Sequence, residues 1–344
     1  MRKIYILAAS ALMTFGLASC DIDNVENFGE LSSGNFPASD VDGEATLAGV
    51  YQNLNQTHAT PQQSFLYNAC LASDDQLGGG GDNDKLMQAL DLILNNGADM
   101  TNQFYVDRYA GINRANMLIS ALPNTSMSEE IKAQYLGEAL FLRAFYYYEL
   151  SSMYGNVPLR TAAGGETMQQ GNIEDIWKQI LQDLRDAIEM MPAKKSTSAG
   201  HVDKYTAEAM LGRAWLFYTG FFCNGSSIAD LTSTNYSPLT SVELLDGTTL
   251  TKQDVIAYID DCVNNSGYSL VPDFRNLWAY TNRLTVEDYD YTKGQGLKWV
   301  EDDSADNPES LFAIKFNKFA SWSTTIGYAN GIALHFGVRG GSTD

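Results

Sequence analysis

The chain has 344 residues, with 22 Lys and Arg against 42 Asp and Glu and a formal net charge of −20 at pH 7. Its length holds one large domain or two ordinary ones. A surface this negative excludes nucleic acid as a partner and electrostatic docking onto anionic lipid.

The elements begin at the N-terminus. Arg2 and Lys3 form a basic start, Ile4 to Leu17 is an uncharged run of 14 residues, and Leu17-Ala18-Ser19-Cys20 closes it. A basic end, a short apolar stretch and small residues at a cut make a secretory signal, and a spanning helix needs roughly 20 residues. A cysteine directly after the cut resembles the lipobox of bacterial lipoproteins, in which the thiol is acylated and becomes the new N-terminus. The alternative is an ordinary secretory peptide with a chance cysteine. The predicted organisation is a signal over 1–19, lipidation at Cys20, a polar tether over 20–38 and a helical domain over 39–344. Loss of Arg2 and Lys3 would take the charge to −22. The remaining Cys70, Cys223 and Cys262 are odd in number, fit no zinc spacing and lie among apolar neighbours. They are expected to be buried thiols, with one bridged pair as the alternative.

Helical periodicity follows. Asp40 can cap a helix with Leu47, Val50, Tyr51 and Leu54 on one face. Asp99 or Thr101 starts another, through Phe104, Arg108, Ile112, Ala115, Ile119 and Leu122 to Pro123. Ser126-Met127-Ser128-Glu129 has the form of a capping box before the longest stretch, which Gly155 and Pro158 end. Ile173 to Met191 recurs at helical spacing before Pro192. Another helix runs from about Asp203 to Phe222, and Thr251 with Asp254 opens one through Cys262. Short breaks between such segments predict antiparallel helical hairpins stacked on each other, a mainly α fold, although no pair carries the tetratricopeptide signature. After Ser266 the chain turns irregular, with Ser310 to Phe316 as an expected strand.

Four segments carry a resemblance. They are Tyr109-Ala110-Gly111-Ile112-Asn113-Arg114-Ala115-Asn116, Gly137 to Leu150 with the following Tyr154-Gly155-Asn156-Val157-Pro158-Leu159, Tyr205 to Ala214, and Pro308 to Ile314. In order and spacing, together with the lipobox, they resemble the RagB/SusD family of Bacteroidetes surface lipoproteins over nearly the whole chain. The resemblance implies a scaffold of tetratricopeptide-like units with a loop-rich ligand region and few short strands. It also implies a non-catalytic, cofactor-free role: glycan capture at the outer membrane, held there by the N-terminal lipid, beside a SusC-like TonB-dependent transporter. Family chains continue into further helices, so this chain is expected to be the N-terminal part of the family fold. The acidic start Asp21-Ile22-Asp23 is similar to signals that send such lipoproteins to the cell exterior.

Sugar binding without catalysis needs flat apolar faces for the C–H side of a pyranose and short polar groups for its hydroxyls, and Trp and Tyr supply both area and a polar tip. Trp177 and Trp215 sit at core spacing within helices. Trp278 follows Phe274 and Leu277, and core is again expected. Trp299 and Trp322 lie in polar loop contexts and are the platform candidates, with Tyr280 and Tyr328 as further candidates. Asp74-Asp75-Gln76 and Gly78-Gly79-Gly80-Gly81-Asp82-Asn83 form a loop where glycine lets backbone approach a ligand closely. Its candidates are Asp74, Asp75 and Asn83, with a solvated turn or a calcium site as alternatives. The resemblance places an acidic ligand-lining residue at Asp74 or Asp75. His58, His201 and His335 have no ligand spacing, and no metal is expected. A lipid-anchored glycoside hydrolase and a peptide-binding relative remain the alternative functions.

Overall fold

The computed structural model describes residues 37, 39–59, 64–73, 76, 101–164, 169–196, 200–224, 229, 232–302 and 306–316. The chain divides into two units, 1–36 and 37–344, and every described residue belongs to the second. The signal, Cys20 and nearly all of the tether thus lie outside the described residues.

Helices dominate this unit: α1 (Asp40–Ala59), α2 (Phe65–Leu71), α3 (Asn102–Ala121), α4 (Glu129–Tyr154), α5 (Ile173–Met190), α6 (Lys204–Trp215) and α7 (Lys252–Asn265). Their starts follow local hydrogen-bond chemistry. Ser39, rather than Asp40, caps α1: its hydroxyl accepts from the Asp42 N–H at 3.3 Å, and the Asp42 carboxylate accepts from the Ser39 N–H at 3.1 Å. The cap of α4 is Ser128, accepting from Ile131 N–H, and not Ser126, because Met127 is drawn into the core just ahead of it. Asp203 caps α6, and Thr251 with Asp254 forms a reciprocal capping box at α7. Gly155, at φ 72°, takes the left-handed turn that ends α4.

Consecutive helices pack pairwise: α3 on α4, α4 on α5, α5 on α6 and α6 on α7, with α1 laid across α3 and α4. These are the stacked hairpins that the periodicity predicts. Trp177 is fully buried and Trp215 nearly so, as their spacing requires. Where α1 crosses α3, Gly111 has no room for a side chain: a Cβ would come within 2.6 Å of Asn53 Oδ1 and 2.8 Å of the Tyr146 ring.

Three departures from the sequence reading have physical causes. The helix expected to reach Phe222 changes to a π-helical turn over Leu216–Phe221. A small hairpin, β1 (Ser241–Glu243) with β2 (Thr249–Thr251), pairs Val242 with Leu250; its strands are too short to show an alternation. The expected strand at Ser310 to Phe316 forms no ladder. Its carbonyls are taken by side chains instead, Leu311 by Thr206 Oγ1 at 2.7 Å and Lys315 by Asn55 Nδ2 at 2.6 Å. Phe312 meets the rings of Phe141 and Phe145 edge-on. Among the cysteines, Cys262 is buried, Cys70 half-buried and Cys223 exposed in the short turn after the π-helix; all three are free thiols. No helix of the described residues is long and apolar enough to cross a membrane.

Candidate functional site

Many polar residues of the sequence segments singled out above are consumed inside the scaffold. Arg108 is fully buried between the rings of Phe104 and Tyr146 and donates to Glu149 at 2.6 Å and to Asn53 Oδ1 at 3.0 Å. Arg143 holds Asp183 through Nε at 2.7 Å and Nη2 at 2.6 Å, and its Nη1 donates to Asn116 Oδ1 at 2.8 Å. Asn116 in turn donates to the carbonyls of Arg160 and Ala162. The tyrosines act as staples: Tyr146 donates to Val50 O at 2.7 Å, Tyr109 to Pro158 O at 2.6 Å and Tyr154 to Thr101 O at 2.8 Å. Buried polar groups must be paired, and these side chains pair with one another and with the carbonyls of Val50, Pro158 and Thr101.

His201 is likewise structural. Its Nδ1 faces Glu138 Oε2 at 2.8 Å and its Nε2 faces Glu44 Oε1 at 3.4 Å. Tyr51 donates to Glu138 at 2.5 Å and Tyr135 to Glu44 at 2.6 Å. The hydrogen bond to Glu138 raises the imidazole above its usual range. The described residues contain no cluster of His, Cys, Asp and Glu that could hold a metal.

Among the described residues, one exposed loop surface is the irregular segment 267–302. It is ordered by hydrogen bonds within itself and to residues 308 and 309. The Ser269 N–H donates to Pro308 O at 3.1 Å, and the Val271 N–H donates to the Glu309 carboxylate at 2.6 Å. Trp299 N–H donates to Thr281 O at 3.1 Å, Val300 N–H to Asn276 O at 2.9 Å and Arg283 N–H to Asp302 at 2.7 Å. Thr281, Val286, Thr292 and Leu297 of the segment are its buried residues.

This frame turns rings outward. Phe274 is 67% exposed, Trp278 51%, Tyr289 39% and Tyr291 61%. Phe274 and Trp278 meet edge-on with centroids 5.9 Å apart. Tyr291 lies 5.9 Å from Tyr280 and stacks on Tyr289 at 5.3 Å. The Asp273 carboxylate, held below its usual range by hydrogen bonds from Arg275, flanks them. The arrangement supplies exposed flat faces, with the exposed carboxylates Glu287, Asp288 and Asp290 on the same segment.

Two of the sequence candidates, Tyr280 and Trp299, are therefore brought into one folded loop by the Trp299–Thr281 hydrogen bond, and both are half-buried. Asp74, Asp75, Asn83, Trp322 and Tyr328 lie outside the described residues, as does Cys20. Trp278 corrects the sequence reading. Phe274, Leu277 and Trp278 predict a core, but two successive short 3₁₀ turns, Phe274–Leu277 and Ala279–Thr281, present Phe274 and Trp278 to solvent. Tyr289 and Tyr291 are the residues that sequence reasoning misses. Their signal is alternation with acids, Glu287-Asp288-Tyr289-Asp290-Tyr291, which no buried strand would carry.

A family model described as SusD-like, starch-binding and associating with the outer membrane matches residues 28–218. The curated SusD-like protein P38 of Formosa agariphila is 24% identical over 255 residues, 70% of this chain and 48% of that protein. SusD-like protein P2 of the same organism is also 24% identical, over 63% of this chain and 43% of that one. The chain thus spans about half the length of the curated relatives it matches. Among solved structures, a laminarin-binding SusD-like protein superposes with a TM-score of 0.56 at 26% identity, covering 72% of this chain and 49% of the other. NanU of B. fragilis superposes with a TM-score of 0.60 at 19% identity, covering 85% and 51%, which is a likeness of fold.

Proposed function

Because the chain belongs to the SusD-like family, we propose that it captures glycans at the outer membrane without chemistry and passes them to a SusC-like TonB-dependent transporter. The observation that supports this best is the ring-bearing segment 267–302. It displays Phe274, Trp278, Tyr289 and Tyr291 to solvent on a loop tied together by backbone hydrogen bonds. A preordered loop spares the entropy of arranging side chains on binding, and binding residues favour loops on a rigid scaffold. In this reading Tyr280 and Trp299 brace the platform, while Asp74, Asp75, Asn83, Trp322 and Tyr328 complete the ligand region. Cys20 carries the lipid, with the protein facing the cell exterior.

Isothermal titration of the protein against a panel of polysaccharides tests capture. Binding without release of new reducing ends is expected, and turnover abolished by one Asp→Asn or Glu→Gln change would favour a hydrolase. Loss of lipid labelling in Cys20→Ala and shaving of intact cells by protease test the anchor and its orientation.

A further inference from the structure

We propose that the aromatic surface of segment 270–302 selects an uncharged oligosaccharide long enough to cover two separate groups of rings, and discriminates against glycans carrying carboxylate or sulfate. This rests on the reading of that surface as a glycan platform and adds the class of glycan.

Length follows from the placement of the rings. Phe274 and Trp278 form one group, and Tyr280, Tyr289 and Tyr291 the other. Only Ala279 separates Trp278 from Tyr280, so the groups are joined within about 7 Å of chain. One pyranose covers one aromatic face. Occupying both groups takes linked sugars.

Charge follows from what surrounds the rings. Residues 270–302 hold six carboxylates (Asp273, Glu287, Asp288, Asp290, Glu301 and Asp302) against four cations, within a chain of net charge −20. Arg275 and Asp273 pair with each other, Arg275 donating to both oxygens at 3.0 and 2.7 Å and also to Gln295, which leaves five carboxylates against the exposed Arg283, Lys293 and Lys298. Glu287, Asp288 and Asp290 lie exposed beside Tyr289 and Tyr291. Ionised carboxylates accept hydrogen bonds from sugar hydroxyls with extra strength, and the same charges repel an anionic sugar at contact distance. The surface is therefore built for hydroxyl donors.

The test is titration of the full chain with uncharged glycans (a β-glucan such as laminarin, a starch-type α-glucan and a galactomannan) and with charged ones (alginate, polygalacturonate and chondroitin sulfate). Each is run at about 0.1 M and about 1 M salt, which shortens the screening length from about 10 to about 3 Å. The best uncharged binder is then tested as oligosaccharides of increasing length. Binding to an uncharged glycan, at least about tenfold weaker binding to every charged one, and an affinity that climbs from mono- to tetrasaccharide are expected. Trp278→Ala and Tyr291→Ala should each lower affinity about tenfold without moving the melting temperature. Equal or tighter binding to a charged glycan, or a monosaccharide as good as the longer chains, overturns the inference while leaving glycan capture standing. Loss of melting temperature in Trp278→Ala with unchanged affinity overturns it by showing the rings are covered by protein. No binding to any glycan overturns the capture reading itself.

Discussion

Arg143 and Asp183 meet across α4 and α5 in a two-pronged pair, at 2.7 and 2.6 Å, with both side chains almost wholly buried. Asp183 also accepts from Gln179 at 2.7 Å, and Arg143 reaches on to Asn116 of α3. One guanidinium thus ties three consecutive helices. The desolvation cost of such a pair offsets much of its attraction, so its signature is asymmetry between single and double substitutions. Asp183→Ala strands a buried cation and should cost about 3–5 kcal/mol in urea unfolding. Arg143→Met combined with Asp183→Leu should cost markedly less than Asp183→Ala alone. A double variant at least as unstable as the sum of the singles would contradict this account.

Glu208 is buried on α6 with Lys204 as its neighbouring cation at 3.3 Å, and Lys204 is shared with Asp261 of α7 at 2.5 Å. Burial pushes the Glu208 carboxyl up to about 7. A carboxyl raised on folding binds its proton in the folded chain while the unfolded chain has released it, so stability falls as pH rises from about 4.5 to about 7. Glu208→Gln should flatten this part of the pH–stability curve and be at least as stable as the parent at pH 8. A curve with unchanged slope would refute it.

His201 acts in the next window. Its imidazole is raised by the hydrogen bond with Glu138, and both ring nitrogens face carboxylates. Its stabilisation is complete below about 6.5 and is lost as pH rises through the raised value. His201→Gln should remove the slope above pH 6.5 while leaving the Glu208 window intact, as followed by thermal melts from pH 5 to 9.

Two glycines report close packing and its absence. Gly111→Ala would drive a methyl into Asn53 and Tyr146 where α1 crosses α3, and should destabilise by about 1–3 kcal/mol. Gly49, in α1, has nothing within 4 Å of a built Cβ, so Gly49→Ala should stabilise by up to about 1 kcal/mol through helix propensity. Equal effects at the two sites would mean that the α1–α3 contact is looser than described.

The helices are legible in the sequence because burial repeats every three to four residues and caps act within one turn, as with Thr251 and Asp254. The polar ties are not. Arg143 and Asp183 lie 40 residues apart, and nothing local to either announces the other. The aromatic surface is half legible. Trp299 stands out by polar context, but nearness to Phe274 and Leu277 in sequence makes Trp278 look buried and leaves Tyr280 open. Apolar neighbours report burial only when a period aligns them, and 3₁₀ turns break the period.

Glu309 is one of the residues that hold the ring-bearing segment, beside the Tyr268 hydroxyl, which donates to Asp203 at 2.8 Å. The Glu309 carboxylate accepts from the Val271 N–H at 2.6 Å, next to the Ser269–Pro308 backbone bond. Glu309→Ala removes that acceptor at a half-buried site. Local opening costs less than global unfolding, so the change should loosen residues 270–302 and leave the melting temperature within a few degrees of the parent. Trypsin reports this directly, since Arg275, Arg283, Lys293 and Lys298 all lie in the segment. Cleavage there should quicken several-fold in Glu309→Ala and less in Glu309→Gln, whose amide oxygen still accepts. Glycan affinity should fall in the same order, because a loosened platform must be reordered on binding. Faster cleavage with undiminished affinity would show that the rings of this segment do not touch the sugar.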